Sequence, residues 1–566
     1  MKAADVVARL SVLEGGRKVV EQTWQVIEQF VVPYRGDFFK TNASENEVEW
    51  RRRDIYDDTA VKACRRLAAN LHSNLTSPST LWFNLSFRSE DLKDDQEATE
   101  WLEESAKRTY RALQESNFNL EMAEGYTDMC SFATTTLIEE VVNENDWEGI
   151  NFQAVPQEEI FFEEGADGAV LRIYRRLKYT PLQIVDKFGE AGLPQDIKNR
   201  AAASSTCDTK EDVVFCIYQR PNRKDEDTSQ MLAPLARPYG FKYVLRRTRE
   251  MLGEEGGYYE MPAFITRFAK TSGSMWGHGP AHIGLADILT LNEMVYMDQR
   301  SIEKAIDPAM MTTENGLMSD IDQEAGGLTV VSDMDGLKPI VTGARFDVSK
   351  DRILDLQRSI VEAFFGDQLE LKESPAMTAT EVERRWQLMQ KTLGPTIGRI
   401  QSDLLDPLIQ RTFNVLLRAG QLPELPSVLM EQESDMDIEY TGPIPRSQKA
   451  EQAASIEGWL EGVGALSEIY PDVLDVPDAT AATREVGLLR GVPAKLMNSV
   501  DEVEQKGDER KEAQAEAQTA AIAEQEGKAM TSMGEGAQAM EAGGLSAPPG
   551  SGQGADVVPI NQGATP

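Results

Sequence analysis

Two long helical stripes, joined by a glycine-broken segment, constrain this chain more than any other feature. From Ala281 to Ile306 apolar residues recur at Ile288, Leu291, Val295, Ile302 and Ile306, with Leu285, Met294 and Met297 nearby. That is the spacing of one helix face, and at about 1.5 Å per residue the segment makes a rod of about 39 Å. Asp307-Pro308 stops it, because proline cannot continue the hydrogen-bond ladder. A second stripe from Val348 to Phe365 places Ile353, Leu356, Ile360 and Phe364 at the same spacing. Between the two, Gly316, Gly326, Gly327 and Gly336 mark turns around short strands such as Leu328 to Val331. The chain runs out along one helix, builds a small irregular module and returns along another. Rods whose apolar faces are wider than one partner helix requires are expected to pack laterally between subunits.

The flanks are of a different kind. Val6 to Phe30 reads as helix, with Val19, Trp24, Ile27 and Phe30 on one face and Pro33 at its end. Arg51-Arg52-Arg53 leads into a second helical pattern with Ile55, Val61, Leu67 and Leu71, and the triplet reads as a solvated helix start. Ser77-Pro78 is a turn, and Trp82 to Phe87 alternates as a strand does. Glu97 to Glu124 and Gly125 to Val142 read as two further helices. From Ile150 to Phe268 the period shifts towards two. Strands are expected at Leu171–Tyr179, Val213–Tyr218, Lys242–Arg246 and Phe264–Phe268, with a short helix at Pro181–Phe188. Arg172, Arg175, Arg176 and Lys178 read as a solvated strand face. After the second rod, Gly366 to Met377 is a loop carrying Pro375. Thr378 and Thr380, each three residues before a glutamate, then open a long helix. Its stripe is Val382, Trp386, Met389 and Leu393. Gly394-Pro395 should kink it, and the stripe resumes through Ile397, Ile400, Leu404, Leu408 and Leu416 to end near Gly420. Arg446 to Asn498 is a small helical module. Beyond Asp501 the composition has too little apolar content to fold, apart from a transient helix over Lys506–Gln525. The fold class is therefore mixed α+β, predominantly helical.

Charge narrows the function. The 566 residues carry 58 basic and 94 acidic side chains, a formal net charge of −36. Proteins that grip nucleic acid over a broad surface are basic, so the balance argues against a broad DNA-binding face. The acidity reads first as solubility, and it does not exclude a protein that lies beside DNA without sticking to it. No apolar run reaches the length of a membrane span. Cys64, Cys130, Cys207 and Cys216 are too few and scattered for a disulfide framework, and Met1 to Val20 alternates charged and apolar residues, so synthesis in a reducing cytosol is expected. Asn42-Ala-Ser44, Asn74-Leu-Thr76 and Asn84-Leu-Ser86 are then chance matches to the glycosylation pattern.

Catalytic signatures are missing. There is no Walker A sequence and no G-x-S-x-G elbow, and Gly277-His278-Gly279 continues to Gly284 at the wrong spacing for a dinucleotide loop. His278 and His282 stand four apart, but Gly279-Pro280 lies between them and no further ligand motif accompanies them, so no metal or other cofactor is expected. Acid pairs among so many carboxylates carry no argument for a hydrolase.

The order of elements resembles the portal, or head-to-tail connector, of tailed bacteriophages, in its short-tailed podovirus-type branch. The resemblance covers about residues 5 to 500 and is carried by several stretches in order. They are Leu75-Thr-Ser-Pro78 into Trp82-Phe-Asn-Leu85, Gly277-His-Gly-Pro280, Asp287-Ile-Leu-Thr-Leu-Asn292, Met377-Thr-Ala-Thr-Glu-Val-Glu-Arg-Arg385, Leu404-Leu-Asp-Pro-Leu-Ile409 and Gly420-Gln-Leu-Pro423. His278 stands where the family more often has a basic residue.

The resemblance implies a non-enzymatic ring, usually of twelve subunits, at one capsid vertex of the virion, assembled in the host bacterial cytoplasm. Double-stranded DNA enters and leaves through its channel. Its partners are the terminase packaging motor, a tail adaptor protein and the major capsid and scaffolding proteins. By analogy residues 1–278 are the wing, 279–307 the first stem helix, 308–346 the clip and 347–365 the second stem helix. Residues 366–379 are the channel loop, 380–445 a long kinked helix and wing return, 446–500 a helical crown and 501–566 an acidic, largely disordered tail. The candidate DNA-channel residues in that loop are Gln368, Glu370, Lys372 and Glu373, with Lys372 either touching phosphate or pairing with Glu370 or Glu373. Two other readings stay open: an oligomeric scaffold or adaptor without a DNA channel, and an acid-dependent hydrolase in the mixed α/β region.

Overall fold

The computed structural model describes residues 1–35, 53–89, 92, 95–142, 147–166, 168–203, 205–221, 232–271, 273–312, 317–322, 328–332, 337–340, 346–366, 392–430, 436–440, 443–467, 469–492, 496–498, 502, 503, 505–519 and 522. It divides into two compact units, Met1–Val492 and Pro493–Pro566. The second is represented by short helical stretches, chiefly residues 505–519.

The first unit opens with α1 (Ala3–Val31) and α2 (Thr59–Leu75). Strand β1 (Phe83–Phe87) follows, then α3 (Gln96–Glu115) and α4 (Phe118–Phe132). Asp95 caps α3 through its carboxylate, which accepts from the Ala98 amide at 2.8 Å. The expected boundary at Glu124 and the helix through Val142 are both corrected. The chain breaks at Ser116-Asn117, and α4 stops at Ala133, whose φ of 60° is left-handed. Three consecutive β-branched residues, Thr134-Thr135-Thr136, then favour the extended chain, which runs as β2 (Thr134–Val141). This strand is the centre of a three-stranded antiparallel sheet, between β3 (Ile150–Ala154) and β9 (Ala263–Arg267).

A second, five-stranded antiparallel sheet has the order β4-β5-β6-β7-β8. Its strands are β4 (Ile160–Glu164), β5 (Val170–Tyr179), β6 (Glu211–Gln219), β7 (Tyr239–Leu245) and β8 (Glu250–Tyr258). Helices α5 (Pro181–Phe188) and α6 (Gln195–Ala202) connect β5 to β6. Alternation along the strands divides their side chains between two faces. Phe162, Ile173, Phe215 and Tyr243 join the main core, whereas Phe161, Tyr174, Val214, Cys216 and Val244 pack against Val6, Val7 and Leu10 of α1.

That packing corrects the sequence reading of α1. Val19 is exposed, and the buried line runs through Arg17, Trp24 and Val31, seven residues apart and therefore on one face. A polar residue holds the position the apolar stripe leaves empty. Arg17 donates to the carbonyls of Gln157, Glu158 and Ile160 at 3.1, 2.9 and 2.7 Å and to Glu21 at 2.6 Å. Its guanidinium lies 3.6 Å from the Phe161 ring centroid, and burial lowers its pKa to about 10. Removing it would strand three carbonyls at about 1–3 kcal/mol each where water cannot replace it.

The basic residues of β5 do not form one free solvated face: Arg172, Arg176 and Lys178 lie on one side of the strand and Arg175 on the other. Arg172 pairs with Glu163 at 2.8 Å, Arg175 with Glu159 at 2.8 Å, Arg176 with Glu158 and Glu14 at 3.1 and 3.4 Å, and Lys178 lies 3.9 Å from Glu158. Glu14 also takes Arg246, so α1 is held to the sheet by ions around an apolar centre.

Across β2 the long helix returns. Residues 392–400 are helical and continue into a π turn, Gln401–Leu405, and α10 (Asp406–Arg418). The sequence expects a kink at Gly394-Pro395; the π turn falls further on. Pro407 has no N–H and its ring crowds the carbonyl of Asp403, and one widened turn relieves that conflict. Gly420, with φ +66°, ends the helix as expected. Helix α11 (Ser427–Met430) and β12 (Met436–Tyr440) follow, and β12 pairs antiparallel with β1. A helical module closes the unit: α12 (Pro443–Ser467), a 3-10 turn (Pro471–Asp475) and α13 (Ala479–Leu489).

One buried charge cluster ties α10 to β2. Glu139 is fully buried, accepts from the Thr412 hydroxyl at 3.3 Å and lies 3.7 Å from Arg411 Nε. Arg418 grips Glu260 at 2.7 and 2.8 Å beside it. Burial raises the Glu139 pKa to about 7, against the pull of Arg411, with Glu260 adding to the rise. A carboxyl raised in the folded state contributes stability that is complete below its unfolded value near 4.5 and is lost as pH rises through about 7. The stability difference between wild type and Glu139→Gln should therefore fall by about 3 kcal/mol across that window. Denaturant melts at pH 5, 6, 7 and 8 check this; a flat difference would show that the carboxylate stays ionised.

Candidate assembly interface on the helical arm

The arm begins where a short turn, α7 (Pro280–Ile283), leads through Gly284 into α8 (Leu285–Ile306). The antiparallel partner is α9 (Phe346–Ala363). The described helix α8 has 22 residues, about 33 Å, shorter than the expected rod because Gly284 interrupts it.

The motif Gly277-His278-Gly279 sets where the arm starts. A Cβ on Gly277 would lie 2.1 Å from the Ala133 carbonyl oxygen, and one on Gly279 would lie 2.9 Å from the Ala133 side chain. The Gly277 amide donates to the Thr134 hydroxyl at 3.2 Å and the His278 amide to the Ala269 carbonyl at 2.8 Å. The glycines serve backbone packing in the α4–β2 corner, which explains their poor fit to a phosphate loop. His278 Nδ1 lies 2.9 Å from the Thr271 hydroxyl, and its ring is 5.9 Å from that of His282. Burial and the neighbouring His278 lower the His282 pKa to about 4. Among the described residues no cluster of metal-ligating side chains occurs.

The near half of the arm is fastened. The Ser359 hydroxyl donates to Asp287 at 2.6 Å and the Ser349 hydroxyl to Asp298 at 2.9 Å, fixing the antiparallel register. Asn292 accepts from the Tyr56 amide at 2.8 Å and donates to the Asp54 carbonyl at 3.0 Å. Gln357 donates to Asp57 at 2.8 Å. Ile288, Leu291, Leu356, Ile360 and Phe364 enter the main core.

The far half is exposed. Ile302 and Ile306 continue the stripe of Ile288 and Leu291, yet Ile306 is 79% exposed. Met297 is exposed as well. Past Asp307 the chain forms β10 (Met310–Thr312), paired with β11 (Leu337–Pro339), and a single bridge between Leu317 and Val331. Leu328–Val331 is thus not a strand beyond that bridge. Met311, Met318, Leu328 and Ile340 are exposed here, Leu328 to 81%. These exposed apolar residues make this end of the arm the candidate interaction surface. The sequence pattern shows the stripe but not which half of it the chain itself covers.

Of the sequence-derived loop residues, Gln368, Glu370, Lys372 and Glu373 lie outside the described residues, as do Met377–Arg385 and the Val382, Trp386 and Met389 stripe. Other quoted stretches serve as joints. Trp82 stacks between Phe118 and Tyr440, the Tyr440 hydroxyl donates to Asp406, and the Trp101 indole donates to the Pro423 carbonyl at 3.1 Å.

The model of the bacteriophage head to tail connecting protein family matches residues 3–497, and the chain belongs to that family. It is 26% identical over 514 residues to the probable portal protein of Bordetella phage BPP-1, covering 89% of this chain and 90% of that protein. It is also 26% identical over 520 residues to the portal protein of Salmonella phage epsilon15, covering 90% and 91%. Among the described residues no helix is long and apolar enough to cross a membrane.

Replacing Ile302 and Ile306 with Asp should leave the stability of the monomer within the range of ordinary surface changes, about 0.5 kcal/mol, and abolish self-association. Light scattering of wild type and double variant at matched concentration checks this. Equal association would place the contact elsewhere.

Proposed function

We propose that this chain is the portal subunit of a short-tailed phage. Copies of it, twelve by family analogy, close into a ring at one capsid vertex, through which duplex DNA is packaged and later released. The observation that carries the reading is the arm, whose apolar stripe is half satisfied inside the chain and half left for neighbours. The family match supports it across most of the length. In this reading α8 and α9 are the stem, residues 308–346 the clip, the sheets and their helices the wing, and residues 446–500 the crown. The packaging motor and tail adaptor dock at the narrow end. The role is structural rather than enzymatic.

The charge suits a conduit. Twelve subunits would carry roughly −430 formal charges, and DNA presents about one negative charge per 1.7 Å. An acidic wall keeps the duplex off the surface, and a few cations give weak, exchangeable contacts. Lys372, beside Gln368, Glu370 and Glu373 in the proposed channel loop, is one candidate.

Negative-stain imaging of the purified, associated protein tests the reading. A ring with an axial hole of about 30–40 Å, wider than a duplex of about 20 Å, is expected. A closed assembly without an axial hole would favour a scaffold or adaptor, and a persistent monomer would sink both. Lys372→Glu should form the same rings and alter genome packaging or retention, because it replaces a phosphate contact with repulsion in every subunit. Full-length packaging at wild-type yield across a salt series would assign Lys372 to an ion pair with Glu370 or Glu373.

A further inference from the structure

Away from the arm's tip, one groove gathers positive charge in a chain that is otherwise strongly acidic. It measures about 380 Å³ and lies between the first half of α2 and the end of α9. Lys62, Arg66 and Arg358 line it, together with Leu67 and Phe364, which are buried at its wall. Helix α2 holds no Asp or Glu between Thr59 and Leu75, although 94 of the 566 residues are acidic.

The carboxylates around the groove are already engaged. Asp58 pairs with Lys62 at 2.7 Å and Asp355 with Arg358 at 3.5 Å. Asp57 accepts from Gln357 and from the Thr59 amide, each at 2.8 Å. Both ion pairs are open to water on both partners: the Lys62 and Arg358 side chains are 70% and 66% exposed. Exposed pairs of this kind are weak and exchange partners at little cost. Long, solvated cations around a groove suit a ligand whose charges repeat and move past. Gly366, the first residue of the proposed channel loop, also lines the groove.

We infer that this groove is a contact for the backbone phosphates of duplex DNA, made by Lys62, Arg66 and Arg358. The inference rests on the portal reading, in which the neighbouring loop reaches the DNA path. It adds a second cationic position in each subunit, at the root of the loop. Phosphate contacts of this type hold and position DNA without reading its sequence.

The test uses assembled rings of the full chain and a fluorescein-labelled duplex of about 40 base pairs, with binding followed by anisotropy over a salt series. The triple variant Lys62→Gln, Arg66→Gln, Arg358→Gln should bind about ten-fold more weakly at low salt. The slope of log affinity against log salt should shrink by about one for each phosphate that is no longer neutralised. The charge-conserving variant Lys62→Arg, Arg66→Lys, Arg358→Lys should keep most of the affinity. Rings of the triple variant that bind with unchanged affinity and slope overturn the groove and leave the portal reading standing. Triple-variant chains that fold, by their melting temperature, but no longer form rings overturn it as well, because the groove is then a subunit contact. Wild-type chains that never form rings overturn the portal reading itself.

Discussion

The close approach of Gly277 and Gly279 to Ala133 fixes how the arm meets the body. At this corner α4 ends in a left-handed residue, β2 begins, and the chain from β9 turns into α7. Because no Cβ fits between Gly277 and the Ala133 carbonyl, the two backbones lie nearly in contact, and hydrogen bonds from Gly277 and His278 lock them. The direction of α8 follows from that joint.

From this joint the molecule grades from over-determined to unfinished. The body has aromatic and aliphatic packing on both faces of the five-stranded sheet, and ion pairs around the rim of α1. Along the arm, hydrogen bonds accepted by Asp287, Asn292 and Asp298 continue the fastening part of the way. Beyond Asp298, Ile302 and Ile306 carry the same stripe out into solvent. The single chain thus bears apolar surface at the far end of the arm that it does not itself cover, and in the proposed ring that surface would be buried by association.

Charge is distributed by the same logic. Arg9, Arg172, Arg176 and Arg246 are consumed by Glu163, Glu158 and Glu14 within the body. Arg176 and Arg246, the less exposed of the four, are held most closely to the body. The excess of carboxylates sets the outward field, and cations on solvated side chains, such as Lys62 and Arg358, remain able to change partners.

The arm, the period-two region and the helix ending at Gly420 are legible in the sequence because each rests on local periodicity and on glycine or proline stops. The role of Arg17 is not: a polar residue in the buried line of α1 has meaning only once the carbonyls at Gln157, Glu158 and Ile160 are brought to it. Apolar spacing over Thr134–Val141 fits a helix as well as a strand, and what decides for the strand is pairing with β3 and β9, more than a hundred residues away in the case of β9. The basic residues of β5 are legible as charge but not as a set of partners. Residue order and count alone establish two helical rods, an acidic balance and the lack of a recognisable catalytic motif. Which half of each stripe is buried is settled only in the folded chain, because burial depends on what a distant segment lays over it.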